Sequence, residues 1–359
     1  MAFFKFNIGK PKTRLGVDIG TASIKIVELE KDSGRFNLVN YGMFELKNVG
    51  EAIQSQQKSQ KLGDQDIVWG IQETINRSKM MSRDAVASIP SFSTFATVIS
   101  MPYISKEDIA KAIPFEARKY IPIPIDEVAY EWSIIDLGGD QGQGNSSKPP
   151  VVEVFLAAVP KDEIRRYQLI MKNAGLNLRA LELENMSLIR ALIGNDKSPV
   201  TIVNIGGRST SISIVDGGVE RVSRSYEFGG FEITKSIARS LNVDLKRAED
   251  LKRSVGFKET DAKIINEAMA SLLDTMIFEA RKTISRYEME KKTKINKVIL
   301  TGGLTNMPNF SQYFKDKIGM DTSVGNPFSR LVYNQSLKPI VDNLGTVFSV
   351  AIGLAMRDV

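Results

Sequence analysis

Two short stretches carry residues that could do chemistry. Asp18, Gly20, Thr21, Ala22, Ser23 and Lys25 lie within Leu15 to Leu29, where apolar residues alternate around a small-residue turn. Asn204, Gly206, Gly207, Arg208, Ser209 and Thr210 lie within Val200 to Val215, patterned the same way. Each stretch reads as strand, tight turn, strand. Glycine lets the backbone approach a ligand closely, and consecutive N–H groups in such a turn make a concavity for anions. Either stretch alone is equally well a plain β-hairpin. Two of them facing across a cleft could hold a nucleotide's phosphates from both sides.

The two stretches are related. Displaced by 186 residues, Val17 meets Val203, Asp18 meets Asn204, Ile19 meets Ile205, Gly20 meets Gly206 and Ser23 meets Ser209. An internal repeat of this kind implies two similar domains. A third motif runs from Lys297 to Pro308, a buried-looking strand leading into Gly302 and Gly303. It predicts a helix start after the glycines, a place for polar parts of a nucleotide, or else an ordinary strand-to-helix turn.

Composition narrows the chemistry. The chain has no histidine and no cysteine, so catalysis would fall to carboxylates, hydroxyls, lysines or arginines, and a thiolate or imidazole metal site is excluded. A metal here would be a hard cation on oxygens, such as Mg²⁺ with phosphates. The net charge of +6 suits an anionic ligand, an acidic partner or an anionic membrane face. No arginine-rich tract or aromatic-basic motif favours nucleic acid. No apolar run is expected to reach the roughly 20 residues of a membrane span, and Gly345 to Met356 reads as a core helix. The start, Met1 to Phe6, does not read as a signal peptide, so the chain is expected in the cytoplasm.

The elements that must position these motifs follow from periodicity. Asp261 to Glu288 carries Ile265, Met269, Leu272, Leu273, Met276, Ile277, Ala280, Ile284 and Tyr287 on one helical face. Gly230 to Leu241 and Leu245 to Val255 read as shorter helices. Ser91 to Met171 reads as a separate unit: strand Ala96 to Met101, helix Lys106 to Tyr120, strands Val128 to Leu137 and Val151 to Val159, and helix Lys161 to Ala174. Its strands are joined by Gly138 to Pro150, and Gln54 to Gln65 is a second polar loop; both have the composition of spacers.

The paired hairpins and the Gly302-Gly303 motif resemble the superfamily of actin, sugar kinases and heat-shock chaperone ATPases. Within it, the chain resembles the PilM family of type IV pilus assembly, relatives of the cell-division protein FtsA. Met101-Pro102, Ala110 to Glu116, Tyr120 to Pro124, Ala157 to Lys161, Phe228 to Thr234, Ala248 to Lys252 and Ala351 to Arg357 carry this likeness, which spans about Arg14 to Arg357. It implies an α/β chain with the actin-like ATPase fold: two duplicated RNase H-like domains facing a nucleotide cleft, with an α+β subdomain inserted in the first. The implied division is 1–90, an insert at 91–175, a return at 176–199, a second domain at 200–335 with a helical part near 230–275, and 336–359 packing back on the first domain.

The resemblance also implies roles. Asp18 stands near a hydrated Mg²⁺, with Asn204 opposite; Gly20, Thr21, Ala22 and Ser23 form the first phosphate turn; Lys25 reaches the β- and γ-phosphates. Gly206, Gly207, Arg208, Ser209 and Thr210 form the second turn. Asparagine at 204 replaces the aspartate usual in the superfamily, which weakens metal binding and stabilisation of the transferring phosphoryl group. Glu184 aligns with the acid that orients an attacking water, or is a solvated carboxylate at a helix start. Gly230 touches the ribose, Lys282 and Ser285 frame the adenine, and Gly302, Gly303, Leu304 and Asn306 close over the adenosine. ATP or ADP with Mg²⁺ is the implied cofactor, with at most weak ATPase activity.

The implied partner is the N-terminal cytoplasmic peptide of the inner-membrane protein PilN, in a groove between the first domain and the insert. The chain would then act as a scaffold at the cytoplasmic face of the inner membrane, touching the membrane only indirectly. Contacts with other pilus proteins, motor ATPases among them, stay open. The membrane helix that ends FtsA is not expected here. Rival readings are a turning-over ATPase or sugar kinase, and an FtsA-like filament former that self-associates. Phe3, Phe4, Lys5, Phe6, Lys10, Lys12 and Arg14 make an aromatic-basic start, either a membrane-touching segment or a tail.

Overall fold

The computed structural model describes residues 12–46, 63–102, 105–136, 151–257 and 263–358. Phe3 to Lys10, most of the Gln54 to Gln65 loop, the Gly138 to Pro150 loop and the first residues of the predicted 261–288 helix lie outside the described residues.

The chain opens with β1 (Thr13–Ile19), β2 (Ser23–Asp32), β3 (Arg35–Glu45), α1 (Asp64–Arg77) and β4 (Asp84–Ile89). Then come β5 (Phe95–Pro102), α2 (Lys106–Ala117), β6 (Val128–Asp136), β7 (Val151–Pro160) and α3 (Lys161–Asn173), followed by β8 (Asn177–Leu183) and α4 (Glu184–Leu192). The second half runs β9 (Val200–Ile205), β10 (Thr210–Asp216), β11 (Val219–Tyr226), α5 (Gly230–Leu241), α6 (Leu245–Ser254), α7 (Lys263–Lys291), β12 (Lys297–Thr301), α8 (Phe310–Ile318) and β13 (Asp321–Val324). Short β14 (Leu331–Val332), α9 (Lys338–Leu344) and α10 (Ser349–Ala355) complete it.

The repeat seen in the sequence is a repeat of topology. The first sheet has the order β14-β3-β2-β1-β4-β8 and the second β11-β10-β9-β12-β13. In each, a hairpin-linked antiparallel trio (β1–β3, β9–β11) is extended by two parallel strands. The carboxyl ends of the central strands carry the turns singled out above, and ligands of open α/β sheets gather at such ends.

Period-two alternation explains the middle unit. Its sheet has the order β5-β7-β6. Phe155, Ala157 and Val159 of β7 face the first lobe's core, with α1 and α3. Val154, Leu156 and Ala158 face the other way, onto Ile109, Ile113 and Ala117 of α2. A strand buried on both faces reads as the near-continuous apolar run seen at 151–159. In the second lobe, α7 buries Ile265, Met269, Leu273, Met276, Ile277, Ala280, Ile284 and Tyr287, the stripe read from the sequence, with Leu272 partly buried at its margin. Burying each such side chain stabilises by about 1.5–3 kcal/mol.

Two expectations are corrected. After Gly302 the chain makes a short 3₁₀ turn, Gly303–Asn306, and no α-helix begins until Phe310. The residue before a proline is pushed out of the helical region, and Met307, preceding Pro308, is extended at φ −70° and ψ 131°. The second concerns apolar length. Gln335–Ala355, 21 residues, is long and apolar enough by composition to cross a membrane, at mean hydropathy 1.3. In the fold it breaks into 3₁₀ turns and the short helices α9 and α10, and every residue of α10 is buried. It serves as a core element.

That core is tight. A Cβ on Gly16 of β1 would meet Ala351 O at 1.9 Å, and one on Gly353 would meet Ser187 O at 2.0 Å. Glycine here permits backbone-to-backbone packing of α10 against β1 on one side and α4 on the other.

Candidate functional site

The two turns share one closure. The Gly20 N–H donates to Ser23 O at 3.1 Å, and the Gly206 N–H donates to Ser209 O at 2.9 Å. They face each other closely: a Cβ on Gly207 would meet Ala22 Cβ at 2.8 Å and Thr21 Oγ1 at 3.3 Å. Behind the second turn stands the start of α5, where the N–H groups of Gly230 and Phe231 donate to Gly206 O (3.0 Å) and Gly207 O (2.8 Å). Gly229 fits only because it has no side chain; a Cβ would lie 2.6 Å from Gly206 O.

The turns border a cavity of about 640 Å³ between the lobes. Its wall includes Asp18, Gly20, Thr21, Ala22, Ser23, Lys25, Glu184, Asn204, Gly206, Gly207, Arg208, Ser209, Gly230, Gly302, Gly303, Leu304 and Asn306. Thr346, Ser349 and Val350, before and within α10, line it too. Gly302 sits at φ +91°, and a Cβ there would strike Ile205 O at 2.3 Å and Asn204 Oδ1 at 2.7 Å. Both the backbone angle and the space demand glycine.

A polar cluster lies on this wall. Lys25 Nζ pairs with Asp18 Oδ2 at 3.1 Å. Ser88 Oγ donates to Asp18 Oδ1 at 3.5 Å. Asn204 Nδ2 donates to Glu184 Oε1 at 2.7 Å, and the Ser91 N–H reaches Glu184 Oε2 at 3.4 Å. Burial, then the neighbouring Asp18 carboxylate, push the Glu184 carboxyl up to about 7, against the pull of the Ser91 N–H, Lys25 and Asn204. Asn204 thus serves as a donor to Glu184.

Three sequence-predicted residues are not brought to the cleft. Thr210 is buried at the start of β10, its hydroxyl donating to Phe228 O at 2.8 Å. Lys282 and Ser285 are exposed on α7 and absent from the wall, with Lys282 beside Glu279 at 3.4 Å. In their place α6 supplies Glu249, Lys252 and Arg253, which sequence reasoning missed as site residues. Lys252 Nζ donates to Gly230 O (2.9 Å) and Thr234 Oγ1 (2.8 Å) and pairs with Glu249 (2.6 Å). Burial pulls this ammonium below the ordinary lysine range, while Glu249 opposes that shift. Arg253 reaches across the mouth to Glu45 of β3 at 3.8 Å. The one available signal was Glu249 and Lys252 at i, i+3, a spacing shared with many solvated helix faces.

A second buried network joins the lobes beside the cleft. Asn185 accepts from Ser91 Oγ at 3.0 Å and donates to Glu220 Oε1 (2.7 Å) and Ser223 Oγ (2.9 Å). Glu153 of β7 accepts from Arg221 and Lys291, each at 2.5 Å. The middle unit is thereby fixed to both lobes. Chemically, the cleft can hold a polyanion between two turns, with lysine, carboxylate and amide groups beside it.

Comparison with known proteins agrees with this architecture. A solved PilM–PilN type IV pilus biogenesis complex matches at TM-score 0.80 and 21% identity, over 96% of this chain and 98% of that one. MreB5 of Spiroplasma citri, solved with ADP, matches at TM-score 0.51 and 14% identity, over 95% and 94%. The cell division protein FtsA of Enterococcus faecalis is 23% identical over 333 residues, 82% of this chain and 74% of that protein. These likenesses establish the actin-like ATPase fold. The family model described as type IV pilus assembly protein PilM matches residues 16–359, and the chain belongs to that family.

Proposed function

We propose that the cleft binds ATP or ADP with Mg²⁺, and that the bound nucleotide sets the shape of a scaffold in type IV pilus assembly. The observation that carries this reading is the facing pair of identically closed glycine turns, one from each lobe, beside Asp18, Lys25 and Glu184. Nucleotide in the solved MreB5 supports it by analogy of fold. Among the described residues no group of three or more His, Cys, Asp or Glu could hold a metal ion. That fits Mg²⁺ held through water and phosphate oxygens beside Asp18 and Asn204, the mode Mg²⁺ favours.

In this reading the partner is the N-terminal cytoplasmic peptide of an inner-membrane PilN, supported by the likeness to the PilM–PilN complex. That partner holds the chain at the cytoplasmic face of the inner membrane. The test is titration with a peptide copying the first dozen or so residues of PilN from the same genome, with and without ATP. Micromolar or tighter binding that changes with ATP supports a coupled scaffold. No binding in either state removes the scaffold reading and leaves the fold.

Glu184 favours a second reading, slow ATP turnover, because a carboxyl held near 7 suits a general base. Both its oxygens are engaged, by Asn204 and Ser91, which supports weak activity at most. Phosphate release at tens per minute, abolished by Glu184→Ala, would make the enzyme reading primary.

A further inference from the structure

We infer that the Arg208 side chain is the cleft's reader of phosphate number, taking the terminal phosphate of a nucleoside triphosphate. The inference rests on the nucleotide reading of the cleft.

Other cations of the cleft are already matched. Lys25 pairs with Asp18, Lys252 with Glu249, and Arg253 with Glu249 and Glu45. Arg208 lines the same wall and is in none of the ion pairs among the described residues. Its Nε is buried with no hydrogen-bond partner. A guanidinium nitrogen left so costs free energy unless an acceptor arrives.

The group is held in place by a ring. Its guanidinium carbon lies 5.6 Å from the centroid of Phe231, and Lys235 Nζ lies 4.5 Å from the same centroid. Each cation gains from the ring's negative face, yet two cations on one ring repel each other. Glu232 offsets Lys235 at 3.9 Å; no carboxylate offsets Arg208. Phe231 is itself pinned to the turn, since its N–H donates to Gly207 O at 2.8 Å. The ring therefore moves with the turn and presents Arg208 in a fixed orientation.

The position in the chain sets what Arg208 meets. Gly207, one residue earlier, is where the facing turns come closest, against Ala22 and Thr21. A phosphate chain held between the turns passes this point. A rigid guanidinium there takes two phosphate oxygens at once, a geometry a lysine does not reproduce. The ligand class is a nucleoside triphosphate, discriminated from the diphosphate by one charge-assisted contact.

The test is calorimetric titration of the wild-type chain, Arg208→Gln and Arg208→Lys with ATP, ADP and adenosine, with thermal unfolding as a check of folding. The expected result is ATP affinity about tenfold or more weaker in Arg208→Gln, ADP affinity weaker by about threefold or less, and adenosine unchanged. Arg208→Lys should recover part of the ATP loss. Equal losses for all three ligands, or no loss for ATP, would overturn the inference while leaving the nucleotide cleft standing. Absence of ATP and ADP binding by the wild type would overturn the cleft reading, and this inference with it.

Discussion

Replacing Glu220 by glutamine should make the fold more stable, and only at neutral and alkaline pH. The side chain is 1% exposed, on β11, where it faces α4 through Asn185. Burial pushes its carboxyl from 4.5 up to about 7, despite hydrogen bonds from Ser213, Asn185 and Ser223. The folded chain thus holds this proton more tightly than the unfolded chain. Between pH 4.5 and 7 the folded state binds more protons, so stability falls as pH rises through that window. Each tenfold difference in proton affinity is worth about 1.4 kcal/mol, so ionising Glu220 in place costs about 3 kcal/mol. Glutamine keeps an acceptor for Asn185 and cannot ionise. Urea unfolding followed by circular dichroism at pH 5 and pH 8 checks this. Wild type and Glu220→Gln should match at pH 5, and the variant should be more stable by about 3 kcal/mol at pH 8. Equal pH dependence in both, or a variant weaker at pH 8, would show that Asn185 and its serines hold an ionised carboxylate and would refute the reasoning.

Three further outcomes follow from the cleft and its supports. Glu184→Gln should remove a group titrating near 7 beside the phosphate turns, so ATP affinity that falls from pH 6 to pH 8 in the wild type should stay level in the variant, as calorimetry would read. Gly207→Ala places a Cβ 2.8 Å from Ala22 Cβ, so it should hold the turns apart and weaken ATP binding with little change in thermal unfolding. Gly16→Ala drives a Cβ to 1.9 Å from Ala351 O, and should cost about 3 kcal/mol in urea unfolding, the upper range for overpacking.

Local patterns were legible and long-range placement was not. The hairpin repeat between Asp18 and Asn204 could be read because glycine turns and strand alternation are encoded within a few residues, and the two sheets repeat the same order. The apolar stripe of α7 was readable for the same reason. Lys282 and Ser285 went astray because a helix's polar face looks alike whether it meets solvent or a cleft; which side of α7 turns toward the ligand depends on packing against α5 and α8. Glu249, Lys252 and Arg253 were hidden behind the same ambiguity. Only the tertiary fold shows Lys252 buried against Gly230 O. Asn204 was read as a metal-side residue, and the fold adds that its amide is spent on Glu184.

The glycine contacts of α10 have a mechanical consequence. Around α4 and α10, side chains from both lobes interlock: Val86 and Ala180 from the first sheet, Val200, Ile202 and Ile299 from the second. With Gly16 and Gly353 bringing backbones into direct contact, this region has no compliant layer to shear. It behaves as an axle. A rotation about it disturbs the packed centre little, while points farthest away travel most. The Glu45–Arg253 contact at the mouth is such a point, bridging β3 and α6 at 3.8 Å. It is the first interaction that a change in cleft width would make or break, and a pair of spectroscopic labels there would report the state of the hinge.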